Sequence, residues 1–256
     1  MQAEKKSIDN AEQLQREHYD DIADDYAAHY GDDWSQKYRY KFINEPMFGE
    51  LDLSGAEVVD ALCGSGETTG YLLEKGAKVT GVDISPDEIE VFETNFPDSK
   101  VQCASILSTG LESDSYDCVG VVGGLHHLHP NLIEAVDEMH RLLKPGGYFC
   151  FMEPHSGSLP DLVRKLWYRY DKLFADNEAA IDLTLLKKEF SSKFEFVKED
   201  YKGNIAFLLV LNSLVFRIPL WLKPIYSPFL IAVESIIQKI QGPKLSCFVV
   251  CRWRKI

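Results

Sequence analysis

The sequence lacks several features that would each indicate a particular class of protein. Its six cysteines include no C-x-x-C pair, so neither a zinc site nor a disulfide framework is indicated, and no metal site is expected. Because they lie mostly in apolar runs, they are predicted to be small buried side chains in a reducing compartment. The first 15 residues are charged and contain no secretory apolar run, which predicts a cytoplasmic location. Prolines and charges interrupt the apolar stretch 205–240, so it is a poor candidate for a transmembrane helix, which needs about 20 mainly apolar residues.

Positive charge is also scarce. The chain has 40 acidic and 27 basic side chains, which gives a formal net charge of −13. This balance opposes sequence-independent attraction to polyanionic nucleic acid, so we expect a small-molecule partner instead. A chain of 256 residues can bury one full core, and a single domain is predicted over residues 1–256.

The chain does contain an alternation of short, apolar, β-branched runs with helical stretches, which predicts a parallel sheet flanked by helices. The predicted strands are 57–62, 78–82, 100–103, 116–122, 148–152, 194–200 and 245–253. Helices are predicted at 7–30, 159–174 and 182–190, and two or three short amphipathic helices are predicted within 205–240.

Turn and capping residues punctuate this pattern. Ser85 precedes Pro86 and Glu88, the arrangement of a capping box at a helix start. Gly76 suits a helix end. Residues 142–147, Leu-Leu-Lys-Pro-Gly-Gly, predict the end of a helix and a tight turn into the strand at 148–152.

The loop from Asp60 to Gly66 follows the first strand and contains Gly64-x-Gly66. Glycines at such a turn let the backbone approach a ligand, although a tight turn without a ligand has the same pattern. Asp83 ends the second strand, where a carboxylate can accept hydrogen bonds from both ribose hydroxyls. Its alternative role as a helix N-terminal charge is less attractive, because Ser85 already provides the cap. These features fit either a dinucleotide or S-adenosylmethionine.

Four motifs in order resemble the class I S-adenosylmethionine-dependent methyltransferases that act on small molecules. The similar segments are residues 58–66, 79–85, 115–119 with the Leu125-His126-His127-Leu128 run, and 142–147. Residues 19–26 also resemble the segment that folds over the cofactor in many members, so the resemblance covers about 19–153. It implies an α/β fold: a Rossmann-like, seven-stranded, mostly parallel sheet with flanking helices, an antiparallel last strand and a helical insertion before it. Residues 1–50 would form a helical lid, 51–153 the cofactor-binding core and 154–256 the part with the insertion.

The resemblance also implies a site for S-adenosylmethionine, which becomes S-adenosylhomocysteine (SAH). Asp60, Gly64 and Gly66 would surround the methionine part, Asp83 the ribose, and Gly123 the sulfonium. Ala104, Ser105 and Ile106 would lie at the adenine, where this chain has no acidic residue of the kind that many members carry. The cofactor site would also include Tyr19, Tyr26, Ala61 and Ile84.

Four histidines are predicted at the carboxyl edge of the sheet: His126, His127, His129 and His155. A histidine there could act as a general base toward a hydroxyl or protonated amine. We take His126, His127 and His155 as candidates, and Glu153 as a second kind of candidate. Transfer from a sulfonium can also proceed by positioning alone, and the histidine pair could merely line the pocket.

The acceptor should be chosen by the N-terminal aromatics, the helices after Glu153 and the insertion 205–240. The apolar surface of the insertion favours a hydrophobic acceptor, lipid-like or polyketide-like, or peripheral contact with a membrane. A lid packed on its own core or at a homodimer interface would explain that surface equally well.

Two other functions remain compatible with the sequence. One is a non-catalytic cofactor-binding or scaffold protein with the same fold. The other is an NAD-dependent oxidoreductase, to which Tyr168 and Lys172 would contribute the tyrosine-lysine pair of short-chain dehydrogenases. The spacing of Gly64, Gly66 and Gly70 disfavours that second alternative.

Overall fold

The computed structural model describes residues 28–168 and 179–256. Tyr19, Tyr26, Lys172 and most of the helix predicted at 7–30 lie outside these ranges, as does the end of the helix predicted at 159–174.

Seven strands form one sheet in the order β3-β2-β1-β4-β5-β7-β6. The last strand is antiparallel to both of its neighbours, and the other pairs are parallel. The predicted seven-stranded Rossmann-like sheet with an antiparallel last strand is confirmed. The strands are β1 (Glu57–Ala61), β2 (Lys78–Asp83), β3 (Lys100–Cys103), β4 (Tyr116–Val122), β5 (Leu143–Pro154), β6 (Phe194–Lys202) and β7 (Phe248–Lys255).

Helices cover both faces of the sheet. They are α1 (Asp33–Arg39), α2 (Glu45–Phe48), α3 (Thr69–Glu74), α4 (Pro86–Asn95), α5 (Leu132–Leu142), α6 (Leu159–Tyr168), α7 (Leu183–Phe190) and α8 (Lys223–Ile237). Successive strand residues point to opposite faces, so the sheet divides the interior into two apolar clusters. One includes Val59 with the buried faces of α5 and α7, and the other includes Val58 with α1, α2 and residues 206–211.

Strand β5 begins earlier than the sequence predicts. The helix α5 ends at Leu142 as expected, but β5 starts at the next residue and not at Tyr148. Tyr116 pairs with Leu143 and Cys118 with Tyr148, so four residues bulge out between two pairs. The predicted tight turn is therefore a bulge within a strand, and Gly146 supplies its positive φ of 81°.

The insertion is helical, as predicted. The prolines were expected to interrupt it, but Pro224 and Pro228 lie within one continuous helix, α8. A short 3₁₀ turn (Leu220–Leu222) runs directly into α8. Pro224 lies in the first helical turn, where the missing N–H has no intrahelical acceptor, and Pro228 is accommodated inside the helix. The run Leu220–Ile237 is 18 residues long, and by length and composition alone it could cross a membrane.

Candidate functional site

The carboxyl ends of the parallel strands meet at one edge of the sheet. Strand order reverses between β1 and β4, which are neighbours although they are not consecutive in the chain. A crevice at such a reversal is where open α/β sheets bind ligands. The predicted cofactor residues from Asp60 to Gly123 all follow or end these strands, so the fold brings them together.

The glycine loop connects β1 to α3 at this edge. A Cβ on Gly66 would stand 2.3 Å from the Phe96 ring, and φ at Gly66 is 98°, so the packing of the fold itself requires glycine there. Gly123, at the end of β4, has a φ of 69°, and a Cβ there would meet no atom of residues 28–168 or 179–256 within 4 Å. The space over Gly123 is therefore open to a ligand, whereas Gly66 is explained without one.

Asp83 ties the glycine loop to β2. Its Oδ2 accepts the Gly64 N–H at 2.9 Å, and its Oδ1 accepts the Ser85 N–H at 3.0 Å. Burial raises the pKa of this carboxyl, although backbone donors including Ser85 and Gly64 act in the opposite direction. Each carboxylate oxygen can accept more than one hydrogen bond, so Asp83 can hold the loop and still accept from a ligand hydroxyl. Ile84 follows it, half-buried.

Asp60 lies deeper, one residue before Ala61 at the end of β1. It is almost fully buried, and its Oδ2 accepts the Thr69 hydroxyl at 2.7 Å. Burial raises its pKa to about 7, with Thr69 opposing that shift. Near neutral pH this carboxyl is therefore poised between its two protonation states.

Arg39, on α1, is a residue that the sequence analysis missed. Its Nη2 donates to Thr68 Oγ1 at 3.3 Å, so the buried guanidinium lies against the glycine loop. Its Nε finds no acceptor in the part of the chain that the structure describes. A buried unpaired donor is costly, by about 1–3 kcal/mol, unless something else satisfies it. The sequence gives no sign of this role, because the arginine becomes part of the site only when α1 packs across the sheet.

The segment that is expected at the adenine makes hydrogen bonds and packing contacts within the protein. Ala104 N–H donates to Asp83 O at 2.8 Å, and Ser105 Oγ accepts the Leu107 N–H at 3.1 Å. The Ile106 side chain is buried in the core. Ala104 and Ser105 thus lie next to Asp83 at the sheet edge, while Ile106 packs inward beneath them.

Glu153 organises the segment after β4. It is fully buried at the end of β5, and its Oε1 accepts the Gly124 and Leu125 N–H groups at 2.8 and 2.7 Å. Its Oε2 accepts the His126 N–H at 3.3 Å and lies 2.7 Å from His126 Nδ1. Burial raises the pKa of Glu153 to about 7, and the backbone donors counteract part of this shift.

The three candidate histidines have different surroundings. The rings of His126 and His127 lie 3.8 Å apart between centroids, in the short turn Leu125–His127. His155 is buried, with Nε2 at 2.7 Å from Ser246 Oγ and Nδ1 at 3.2 Å from Ser156 O. Burial lowers the pKa of His155. Both of its ring nitrogens contact the protein, so His155 has a structural role in the fold.

Residues 59–151 match a family model described as a methyltransferase domain. An uncharacterised methyltransferase of Synechocystis sp. is 31% identical over 121 residues, which are 44% of this chain and 57% of that protein. Demethylmenaquinone methyltransferase of Staphylococcus epidermidis is 31% identical over 124 residues, which are 46% of this chain and 51% of that protein. The chain thus spans about half the length of the curated relatives it matches.

Solved methyltransferases share the fold over nearly the whole chain. Magnesium protoporphyrin IX methyltransferase from Synechocystis, with bound SAH, aligns with a TM-score of 0.65 at 13% identity, covering 96% of this chain and 100% of that one. An identity this low compares folds and not activities. Residues 59–151 therefore resemble a methyltransferase domain in sequence, and the chain shares the fold of solved methyltransferases.

Proposed function

We propose that this protein transfers a methyl group from S-adenosylmethionine to an oxygen, nitrogen or carbon atom of a small hydrophobic molecule. The observation that carries the proposal is the Asp83 carboxylate, which holds Gly64 at the carboxyl edge of the sheet. The likeness of residues 59–151 to a methyltransferase domain supports it.

The residues at this edge fit the chemical groups of S-adenosylmethionine. Asp83 would accept from the ribose hydroxyls, with Ile84, Ala104 and Ser105 beside the adenosine. The Nε of Arg39, which has no acceptor among the described residues, is a buried cationic donor suited to the methionine carboxylate. The buried Asp60 would face the positive charge of the methionine part, and the open space at Gly123 would take the sulfonium.

When bound, the cofactor supplies a methyl group on sulfur, and the carbon–sulfur bond breaks as the acceptor atom takes the methyl. The protein's own task is to orient the acceptor, exclude water and receive a proton where the acceptor loses one. We assign the proton to His126 Nε2. A carboxylate at Glu153 stabilises the tautomer with hydrogen on Nδ1, which makes Nε2 the basic nitrogen of the ring. His127 lies against the same ring.

A hydrophobic acceptor is supported by the helix that follows this edge. The helix α6 begins shortly after His155 and exposes four apolar side chains, those of Leu159, Leu162, Val163 and Leu166. A relative is named for methylating demethylmenaquinone, which supports the same acceptor class. Peripheral membrane contact through 205–240 would give access to such an acceptor.

Calorimetry with SAH tests the cofactor assignment. We expect Asp83→Ala to weaken binding by about 1–3 kcal/mol, because hydrogen bonds to a charged acceptor are lost. Asp87→Ala, which removes an exposed carboxylate from the same loop and helix start, should bind like the unchanged protein. Failure of the folded, unchanged protein to bind SAH would refute the proposed function.

A further inference from the structure

Polar side chains on α8 point into the protein. Lys223, Ser227 and Glu234 are buried, although the helix as a whole is apolar. The Lys223 ammonium contacts the Asp32 carboxylate and donates to Ser35 Oγ at 2.9 Å. An ordinary surface helix has the opposite arrangement, with apolar residues inward and polar residues outward.

Glu234 bonds the other end of α8 to the core. It accepts the Tyr38 hydroxyl at 2.5 Å, the Ala206 N–H at 2.7 Å and the Phe207 N–H at 3.2 Å. Tyr38 belongs to α1, the helix that also holds Arg39 against the glycine loop. The inner face of α8 is therefore fixed to the helix that covers the proposed cofactor site.

The outer face of α8 and its flanks is apolar. Trp221, Ile225, Phe229, Ile236 and Ile240 are between 67% and 87% exposed. They follow one another at intervals of four, four, seven and four residues, which places them in one stripe along a helix. Contiguous exposed apolar surface of this kind marks an interaction site.

The inner face argues against a helix that crosses a membrane. A spanning helix would have to leave α1 and carry Lys223 and Glu234 into hydrocarbon without Asp32 and Tyr38. Charged side chains within a membrane-spanning segment are costly unless they are paired. Lying at the interface keeps every one of these hydrogen bonds and still covers the apolar stripe.

Charge around the stripe differs from charge in the rest of the molecule. Residues 203–247 contain four basic residues and one acidic residue, Glu234, which is buried. Arg217, Lys239 and Lys244 are exposed, in a chain whose net charge is −13. A positive rim around an apolar stripe complements an anionic lipid surface.

We infer that the outer face of α8, with Trp221 and Ile240 at its ends, docks the protein flat on an anionic phospholipid surface. Lipid docking depends on the proposed function in one respect, because an acceptor dissolved in the bilayer would then be reached beside α1. A second copy of the chain is a less suitable occupant. Symmetric pairing of two such faces would bring the exposed basic residues of one copy, Arg217, Lys239 and Lys244, towards those of the other, in either orientation of the two helices.

Flotation with phosphatidylcholine vesicles, with and without phosphatidylglycerol, tests this inference. We expect the full chain to float with the anionic vesicles, less so at high salt, and the Trp221 emission to shift to the blue. Ile225→Ser and Phe229→Ser should each reduce partitioning about tenfold, because each removes a large apolar side chain from the buried face. Leu185→Ser removes an equally exposed side chain on the opposite face of the sheet and should partition normally.

SAH calorimetry on the same samples separates the two proposals. Protein that binds SAH but stays with the soluble fraction at low salt would overturn lipid docking and leave the cofactor assignment intact. Sedimentation velocity tests whether a second copy of the chain covers α8 instead of lipid. A dimer that Phe229→Ser disperses, with no vesicle binding, would mean that α8 pairs two copies and that the lipid inference is wrong.

Discussion

Glu153 shows how one buried side chain can both build a loop and prepare a reactive group. Its two oxygens accept three backbone N–H groups at the start of the turn Leu125–His127, which would otherwise be unpaired donors beneath the surface. The same carboxylate reaches His126 Nδ1. The conformation of the turn and the orientation of the imidazole are therefore set together, and a substitution should change both in measurable ways.

We predict that Glu153→Gln reverses the tautomer of His126. The glutamine oxygen can still accept from Gly124 and Leu125, but its amide nitrogen would donate to Nδ1 and place the hydrogen on Nε2. Ring ¹⁵N chemical shifts would report this change directly. Urea unfolding should show a loss of about 1–3 kcal/mol, because charged acceptors are replaced by weaker ones.

A matched control is Glu189→Gln, which changes an exposed carboxylate on α7. It should alter neither the His126 shifts nor the unfolding free energy. An unchanged His126 tautomer in Glu153→Gln would mean that Glu153 only caps the turn, and the proposed positioning role would be wrong.

At the scale of elements, local chemistry was predictable and long-range packing was not. Ser85 caps α4 as predicted, with its Oγ accepting the Glu88 N–H, because a cap depends on residues three apart. Gly76 has the predicted positive φ after α3. The bulge in β5 depends on how Tyr116 pairs across the sheet, and the orientation of α8 depends on partners almost 200 residues away, so neither follows from spacing in the sequence.

The residues of the candidate site also differ in whether the sequence predicts their position. Asp60, Gly64 and Asp83 were predictable because strand ends in a parallel sheet share one edge, whatever the details of packing. Arg39 was not predictable, since it reaches the glycine loop from a helix packed across the sheet face. His155 also lies at this edge, but its partner Ser246 comes from the turn just before β7. The order of the strands predicts that His155 lies at the sheet edge, and only the folded chain shows which groups its ring nitrogens contact.

The capping rule gives a prediction for α7. The Asp182 Oδ1 accepts the Thr184 and Leu185 N–H groups at 3.0 and 3.1 Å. Asp182→Ala should lower the free energy of unfolding by about 1 kcal/mol, and Asp182→Asn should retain most of it. Urea denaturation measures both. If Asp182→Ala and Asp182→Asn unfold at the same urea concentration, the cap does not stabilise the helix.

At the scale of the whole molecule, the sheet brings a buried acid into each of the two clusters of candidate site residues. Asp60 lies below the glycine loop on the α1 face, and Glu153 lies at the end of β5 below the histidine pair. Both have a pKa raised to about 7 by burial. Folding therefore favours the protonated form of each acid, and the stability of the fold should respond to pH through both.

Asp60→Asn isolates one of these contributions. The pKa of Asp60 rises from 3.8 in the unfolded chain to about 7 in the fold, so the unfolded chain binds fewer protons between these values. Through this group the free energy of unfolding falls as pH rises across that window, and it is level above about pH 8. Asparagine does not titrate. Urea titrations measure the difference in unfolding free energy between the unchanged protein and Asp60→Asn. This difference should decrease from about pH 5 to about pH 8. The exposed Asp98→Asn should show a constant difference. A constant difference for Asp60→Asn as well would show that Asp60 is ionised throughout.

In the presence of SAH the decrease should move to lower pH, because a positive charge beside Asp60 favours the carboxylate. Calorimetry in two buffers should then detect proton release near neutrality.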